Sequence, residues 1–150
     1  MAGEDNVQLS ANTKRARDPQ FRDMVLRAYD YRCAITGYQL LLGGTAFGCE
    51  AAHVKWHAAG GPDRVDNGIA LCPNMHLLFD RGCISLTDDR RILISNELSG
   101  SEDIVDGIRQ LSGKKMAQPV KGSLEVDSIF IRWHREPRLG GVFRGQALPV

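Results

Sequence analysis

The chain has 150 residues, 43% hydrophobic and 25% charged, with a net charge of +1, which is the size and balance of one globular domain. No apolar run approaches the ~20 residues that cross a bilayer, and residues 1–17 lack the apolar core of a secretory signal. No membrane association is expected, and a cytoplasmic location is.

Residues 1–17 are polar and without hydrophobic period, and read as a flexible tail or linker. Asp18-Pro19 opens a helix, aspartate at the N-cap and proline at the first helical position. Phe21, Met24, Val25 and Ala28 give it one apolar stripe, ending near Tyr31. Cys33 to Gly37 reads as a short extended piece closed by a glycine turn. Phe47 to Val54 reads as a strand, and residues 57–66 as loop by composition. Asn67-Gly68 is a tight-turn signal, followed by a brief strand, Ile69-Ala70-Leu71. Pro73 starts a helix that Gly82 stops. Ile84–Leu86 and Arg91–Ser95 form a hairpin around Thr87-Asp88-Asp89. Ser101 to Leu111 is a short helix, and Asp127 to Glu136 a last one, halted by Pro137. Residues 146–150 read as a C-terminal tail.

Basic residues gather at both ends and acidic ones between them, at Glu97, Glu102, Asp103 and Asp106. Charge alone reads as solvated helix faces. The cysteines, Cys33, Cys49, Cys72 and Cys83, show no C-x-x-C spacing. Without an export signal they read as small buried hydrophobes rather than a disulfide framework.

The histidines carry the chemistry. His53 ends the first strand, His76 lies in the short helix, and His57 sits in the loop between them. A strand histidine facing a helix histidine offers a base for water on one side and a cation ligand on the other. His57, in a glycine-rich loop, reads as exposed or phosphate-facing rather than as a ligand. His134, beside Trp133, reads as structural, and Trp56 and Phe79 as core or hairpin support. Asp80, four residues after His76, shares its helix face at ~6 Å; a pairing with Arg81 or Arg64 is the alternative.

The segments Cys33-Ala34-Ile35-Thr36-Gly37, Ala51-Ala52-His53-Val54, Asp66-Asn67-Gly68-Ile69-Ala70-Leu71-Cys72 and His76-Leu77-Leu78-Phe79-Asp80-Arg81-Gly82 resemble the HNH endonuclease superfamily. The branch they are most similar to is that of McrA-like, modification-dependent restriction enzymes. The spacings, 14 residues from His53 to Asn67 and 9 from Asn67 to His76, fit that branch. Ile131-Arg132-Trp133-His134-Arg135 with Val142-Phe143 resembles its C-terminal ending. The resemblance spans about residues 18–145, the expected nuclease domain.

It implies an α+β fold: a ββα-metal core with flanking helices and an extra β-hairpin. His53 would be the general base, Asn67 the brace of the hairpin loop, and His76 a metal ligand, with Asp80 as second ligand. The cofactor would be one divalent cation, Mg2+ first, with Mn2+, Ni2+ or Zn2+ as alternatives. Ala52 stands where many relatives have another ligand, and Glu50, two residues back on the face of Ala52, is an outside candidate. Of the relatives' two zinc knuckles only Cys33 and Cys72 remain, with Thr36 and Met75 at the partner positions, so structural zinc is not expected. Cys33 and Cys72 are expected to pack near each other without metal. Arg64, Arg81, Arg132 and Arg135 are candidate nucleic-acid contacts. The implied activity is metal-dependent hydrolysis of DNA phosphodiesters by the cleavage module of a restriction or defence system. A reader domain or partner protein would choose the target, and a homodimer would cut both strands. The alternative is an HNH-fold nucleic-acid-binding module with weakened catalysis.

Overall fold

A computed structural model describes residues 18–149; the tail expected over 1–17 lies outside them. Helix α1 runs Phe21–Ala28. The Asp18 side chain accepts the Gln20 amide at 2.8 Å and its carbonyl accepts that of Phe21, so aspartate and proline form a turn before the helix. Phe21, Val25, Leu26 and Ala28 are buried, whereas Met24 is exposed; Leu26 takes the place the periodicity gave to Met24. Asp30 and Tyr31, both at positive φ, then turn the chain away.

Cys33 to Gly37 is a tight turn rather than an extended piece, closed by the Gly37 amide on the Cys33 carbonyl. Strands β1 (Leu40–Leu42) and β2 (Thr45–Phe47) form an antiparallel hairpin that the sequence reading missed. Its two-residue turn, Gly43-Gly44, has φ of 59° and 81°, the positive pair that right-twisted hairpins favour. The strand expected over Phe47 to Val54 is split: Gly48 breaks the chain, and β3 is Glu50–His53.

β3 pairs antiparallel with β4 (Gly68–Leu71), His53 opposite Gly68. The Asn67-Gly68 turn is not formed. Asn67 closes a short 3-10 turn, and Gly68 is extended at φ −135°. Glycine is needed there for close approach: a Cβ would come within 2.4 Å of Val25 Cγ2. Helix α2 (Pro73–Asp80) follows, with Pro73 in its first turn and Gly82 left-handed beyond its end. β3, β4 and α2 make the expected ββα unit, α1 packed on the strands.

β5 (Ile84–Leu86) and β6 (Ile92–Ile94) form the expected second hairpin. Helix α3 is Glu102–Arg109, and α4 is Ser128–Arg135, its N-cap Asp127 accepting the Ile129 amide at 2.9 Å. The residues read as a C-terminal tail are engaged: Ala147 bridges Ser95, and the Leu148 amide donates to Ile94. Val25, Ala52, Ile69, Leu71, Ile84, Ile92 and Ile131 form one fully buried core across α1, the strands and α4. No described helix is long and apolar enough to cross a membrane.

Candidate active site

His53, at the end of β3, is held on several sides. The Phe21 ring stacks on it at 4.1 Å and 14°, and His57 meets it edge-on at 5.9 Å. Its Nε2 lies 2.7 Å from Asp63 Oδ1, with side chains only 13% and 8% exposed. The same oxygen is 3.5 Å from His57 Nδ1, and the Asp63 carboxylate also accepts the Asp18 amide. Burial works to raise the Asp63 pKa. The hydrogen bonds from His53 and the Asp18 amide, with the His57 ring close by, outweigh it and hold the carboxyl at about 2. The ligand atoms of His53, His57 and Asp63 lie within 4.8 Å of one another, close enough to share a cation.

Asn67, fully buried, shapes the loop that carries these groups. Its Oδ1 accepts the Lys55 amide at 2.8 Å. Its Nδ2 donates to the carbonyls of Lys55 at 2.9 Å and Pro62 at 3.0 Å. Three bonds from one amide thus tie both limbs of the 54–67 loop together, one of them next to Asp63.

His76, in α2, faces two carboxylates. Its Nδ1 is 2.7 Å from Glu50 Oε1 and its Nε2 3.2 Å from Asp80 Oδ2. Carboxylates only accept hydrogen bonds, so this arrangement favours the doubly protonated ring. The Asp80 bond, then that of Glu50, raise the His76 pKa against burial to about 9. The donor set of imidazole and carboxylates fits a divalent cation that displaces that proton. Ala52 is fully buried, so its position faces the core, and the cleft side of β3 shows Ala51 and His53 instead. Glu50, at the start of the strand, reaches His76 despite its nominal place on the face of Ala52.

His53, His57, Trp56, His76, Asp80 and Arg81 line one cleft of about 520 Å³. A second cleft of about 310 Å³ lies against it, lined by Asp18, Phe21, Glu50, Ala51, His53 and Asp63. Ala51 and His53 are the wall between the two.

Of the candidate arginines, Arg81 lines the first cleft. Arg64 is paired with Asp66 at 2.7 Å and remains largely exposed. Arg132 reaches Asp88 at 3.4 Å, and Arg135 bonds the Leu86 carbonyl and Asp88, tying α4 to the β5–β6 turn.

His134 is fully buried and outside the clefts. Its ring stacks on Phe79 at 3.7 Å. A carbonyl only accepts, so Nε2–H donates to the Phe79 carbonyl at 2.8 Å and Nδ1 accepts from the Ser85 hydroxyl at 2.7 Å. Burial depresses its pKa to about 4. Cys33, Cys49 and Cys72 lie together in the core, close enough for each thiol to feel the others' charge. Burial raises the Cys49 thiol to about 11 and also raises those of Cys72 and Cys83, so these thiols stay protonated near pH 7. Cys83 lies elsewhere, near Arg81 and Arg144.

Sequence reasoning placed His57 outside the site and passed over Asp63; the structure puts both against His53. Asp63 follows Gly60-Gly61-Pro62 in a loop, where no periodicity ties a side chain to a strand ten residues away. Glu50 is more central than its strand position suggested.

Residues 33–87 match the family model described as HNH endonuclease. Among solved structures, a match is a chain named "Modification dependent TagI restriction endonuclease". The TM-score is 0.56 and the identity 25%, over 84% of this chain and 39% of that one. This chain therefore spans well under half of that enzyme's length. No curated protein matches. The resemblance read from the motifs is borne out, as is the α+β, HNH-type fold.

Proposed function

We propose that this chain, whose residues 33–87 form an HNH endonuclease core, hydrolyses phosphodiester bonds in DNA with one divalent cation, as the cleavage module of a restriction or defence system. The observation that supports the reading most is the shared cleft. An imidazole anchored on a strand and an imidazole–carboxylate pair on a helix line the same cavity.

His53 accepts a proton from water, since a neutral imidazole is basic enough near pH 7. The new hydroxide forms the bond to phosphorus, the bond to the 3′ oxygen breaks, and that oxygen leaves to take a proton from solvent. His76 and Asp80, with Glu50 beside them, would hold the cation. A bound cation supplies charge neutralisation at the phosphorane and the leaving oxygen. Asn67 keeps the loop in register with β3, and Arg81, in the same cleft, offers a guanidinium to a phosphate. Arg64, Arg132 and Arg135 would add phosphate contacts, Arg135 only by giving up bonds it makes within the fold. The relative's extra length is consistent with a separate reader domain or partner that chooses the target; a homodimer would supply a second cut.

A competing reading gives the cation to His53, His57 and Asp63, whose donors already converge. Nicking of supercoiled plasmid in Mg2+ or Mn2+ decides the matter. The expected result is cleavage by the wild type, loss in His53→Ala, and a raised cation requirement in His76→Ala but not in His57→Ala. No cleavage beyond that of His53→Ala in any cation overturns the enzyme reading. Salt-sensitive DNA binding without turnover would then identify a binding module.

A further inference from the structure

We infer that His53, His57 and Asp63 form a second cation site, separate from the helix ligands, which takes Zn2+ and shuts the reaction off. The silencing, though not the site, rests on His53 being the base. The donors are already gathered. Asp63 Oδ1 lies 2.7 Å from His53 Nε2 and 3.5 Å from His57 Nδ1, and one ligand atom from each residue falls within 4.8 Å of the others. Zinc bonds of about 2.0 Å place tetrahedral ligands roughly 3.3 Å apart. The Asp63–His57 edge is near that length as it stands, and the Asp63–His53 edge has to open by roughly half an ångström. Three protein ligands with water in the fourth position is an arrangement that zinc adopts.

The surroundings hold these donors in place. The Asp18 amide donates to Asp63 Oδ2, while Oδ1 is the oxygen that faces both rings. Asn67 Nδ2 grips the carbonyl of Pro62, the residue before Asp63. Phe21 lies flat on the His53 ring at 4.1 Å. Side chains placed in advance lose little freedom when an ion arrives. His53 and His57 both line the first cleft, which gives the ion its entry path.

Donor chemistry separates the two sites. Around His76 one imidazole meets two carboxylates, Glu50 and Asp80, an oxygen-rich set that suits Mg2+ or Mn2+. Here two imidazoles meet one carboxylate, a set that suits zinc. The sites share no side chain, so both can be filled at once. His53 is what the ion disables. A neutral imidazole has one basic lone pair. Once zinc holds it, none is left to take a proton from water, whichever nitrogen faces the substrate.

The test compares wild type with His57→Ala, Asp63→Asn, His76→Ala, His53→Ala and the His57→Ala/His76→Ala double variant. Zinc retained after equilibrium dialysis at matched free Zn2+ is counted by atomic emission, with circular dichroism to confirm folding. Single-turnover nicking of supercoiled plasmid in saturating Mn2+ is then titrated with Zn2+, each variant referred to its own zinc-free rate. His57→Ala and Asp63→Asn are each expected to hold one equivalent fewer than wild type, and the double variant one fewer again. Zn2+ should stop wild-type nicking, and more Mn2+ should not restore it, because Mn2+ competes at the other site. Half inhibition of His57→Ala should need at least about 10-fold more Zn2+, the least that losing even an outer partner of a metal site costs. Wild-type zinc counts in both His57→Ala and Asp63→Asn overturn the inference. Inhibition relieved by Mn2+, or as strong in His57→Ala as in wild type, also overturns it, and puts the zinc on His76. A Mn2+ requirement raised in His57→Ala overturns it as well, and gives these ligands the catalytic cation. Zinc held at the site without slowing wild type overturns the silencing. If His53→Ala nicks like wild type, the base reading has failed and the silencing with it, while the zinc counts still decide the site.

Discussion

His76, within α2, and His134, on α4, both bond the last turn of α2, and the fold drives them to opposite states. His134 bonds the carbonyl of Phe79; His76 bonds the carboxylate of Asp80, the next residue. His134 has a hydroxyl, a carbonyl and an aromatic face around it, so burial dominates and its pKa falls to about 4. His76 is partly open and has a carboxylate at each nitrogen, so its pKa rises to about 9. The residue type is the same; the partners decide whether it is a neutral strut or a cation awaiting exchange.

The sharpest way to separate the two is to delete each. His134→Ala removes a stacked ring and leaves the Ser85 hydroxyl unpartnered in the core, and should cost about 2–4 kcal/mol in denaturant unfolding. His76→Ala should change stability far less, because its ion pairs are part-exposed. It should instead raise the Mn2+ needed for half-maximal cleavage about 10-fold or more. A variant pair with these effects exchanged would break the comparison.

Proton linkage gives a second test. The His76 pKa is raised from 6.5 in the unfolded chain to about 9, so its contribution is complete below pH 6.5 and fades as pH rises through 9. The His134 pKa is depressed to about 4, so its contribution is complete above pH 6.5 and fades as pH falls toward 4. The metal-free protein should therefore lose stability on both sides of about pH 6.5, His134→Ala flattening the acid side and His76→Ala the alkaline side. A cation taken by His76 at pH 7 should release about one proton, read as a buffer-dependent calorimetric enthalpy. Enthalpies that do not vary with the buffer's ionisation heat would place the cation elsewhere. The smallest effect belongs to Ser85→Ala, about 1 kcal/mol, through the lost bond to His134.

Much of this was legible in the sequence, for identifiable reasons. The α2 boundaries followed from Pro73 and Gly82, and the second hairpin from apolar runs around Thr87-Asp88-Asp89. Those are local signals. Asn67-Gly68 misled because a two-residue motif reports a preferred turn, while tertiary contact with Val25 set an extended glycine. The β1–β2 hairpin was missed although Gly43-Gly44 marked it, because Leu40-Leu41-Leu42 has no period-two alternation and all three are exposed. Asp63 and Glu50 belong to the site through contacts across 10 and 26 residues of chain, which no spacing rule reaches.

The bond between His134 and Phe79 joins residues 55 apart. During synthesis, β3, β4 and α2 emerge well before α4. The helix that carries His76 and Asp80 lacks its buried clasp until residue 134 has left the ribosome. That bond is thus a late product of translation, and a nascent chain holds the motif residues before the last turn of α2 is clasped from α4.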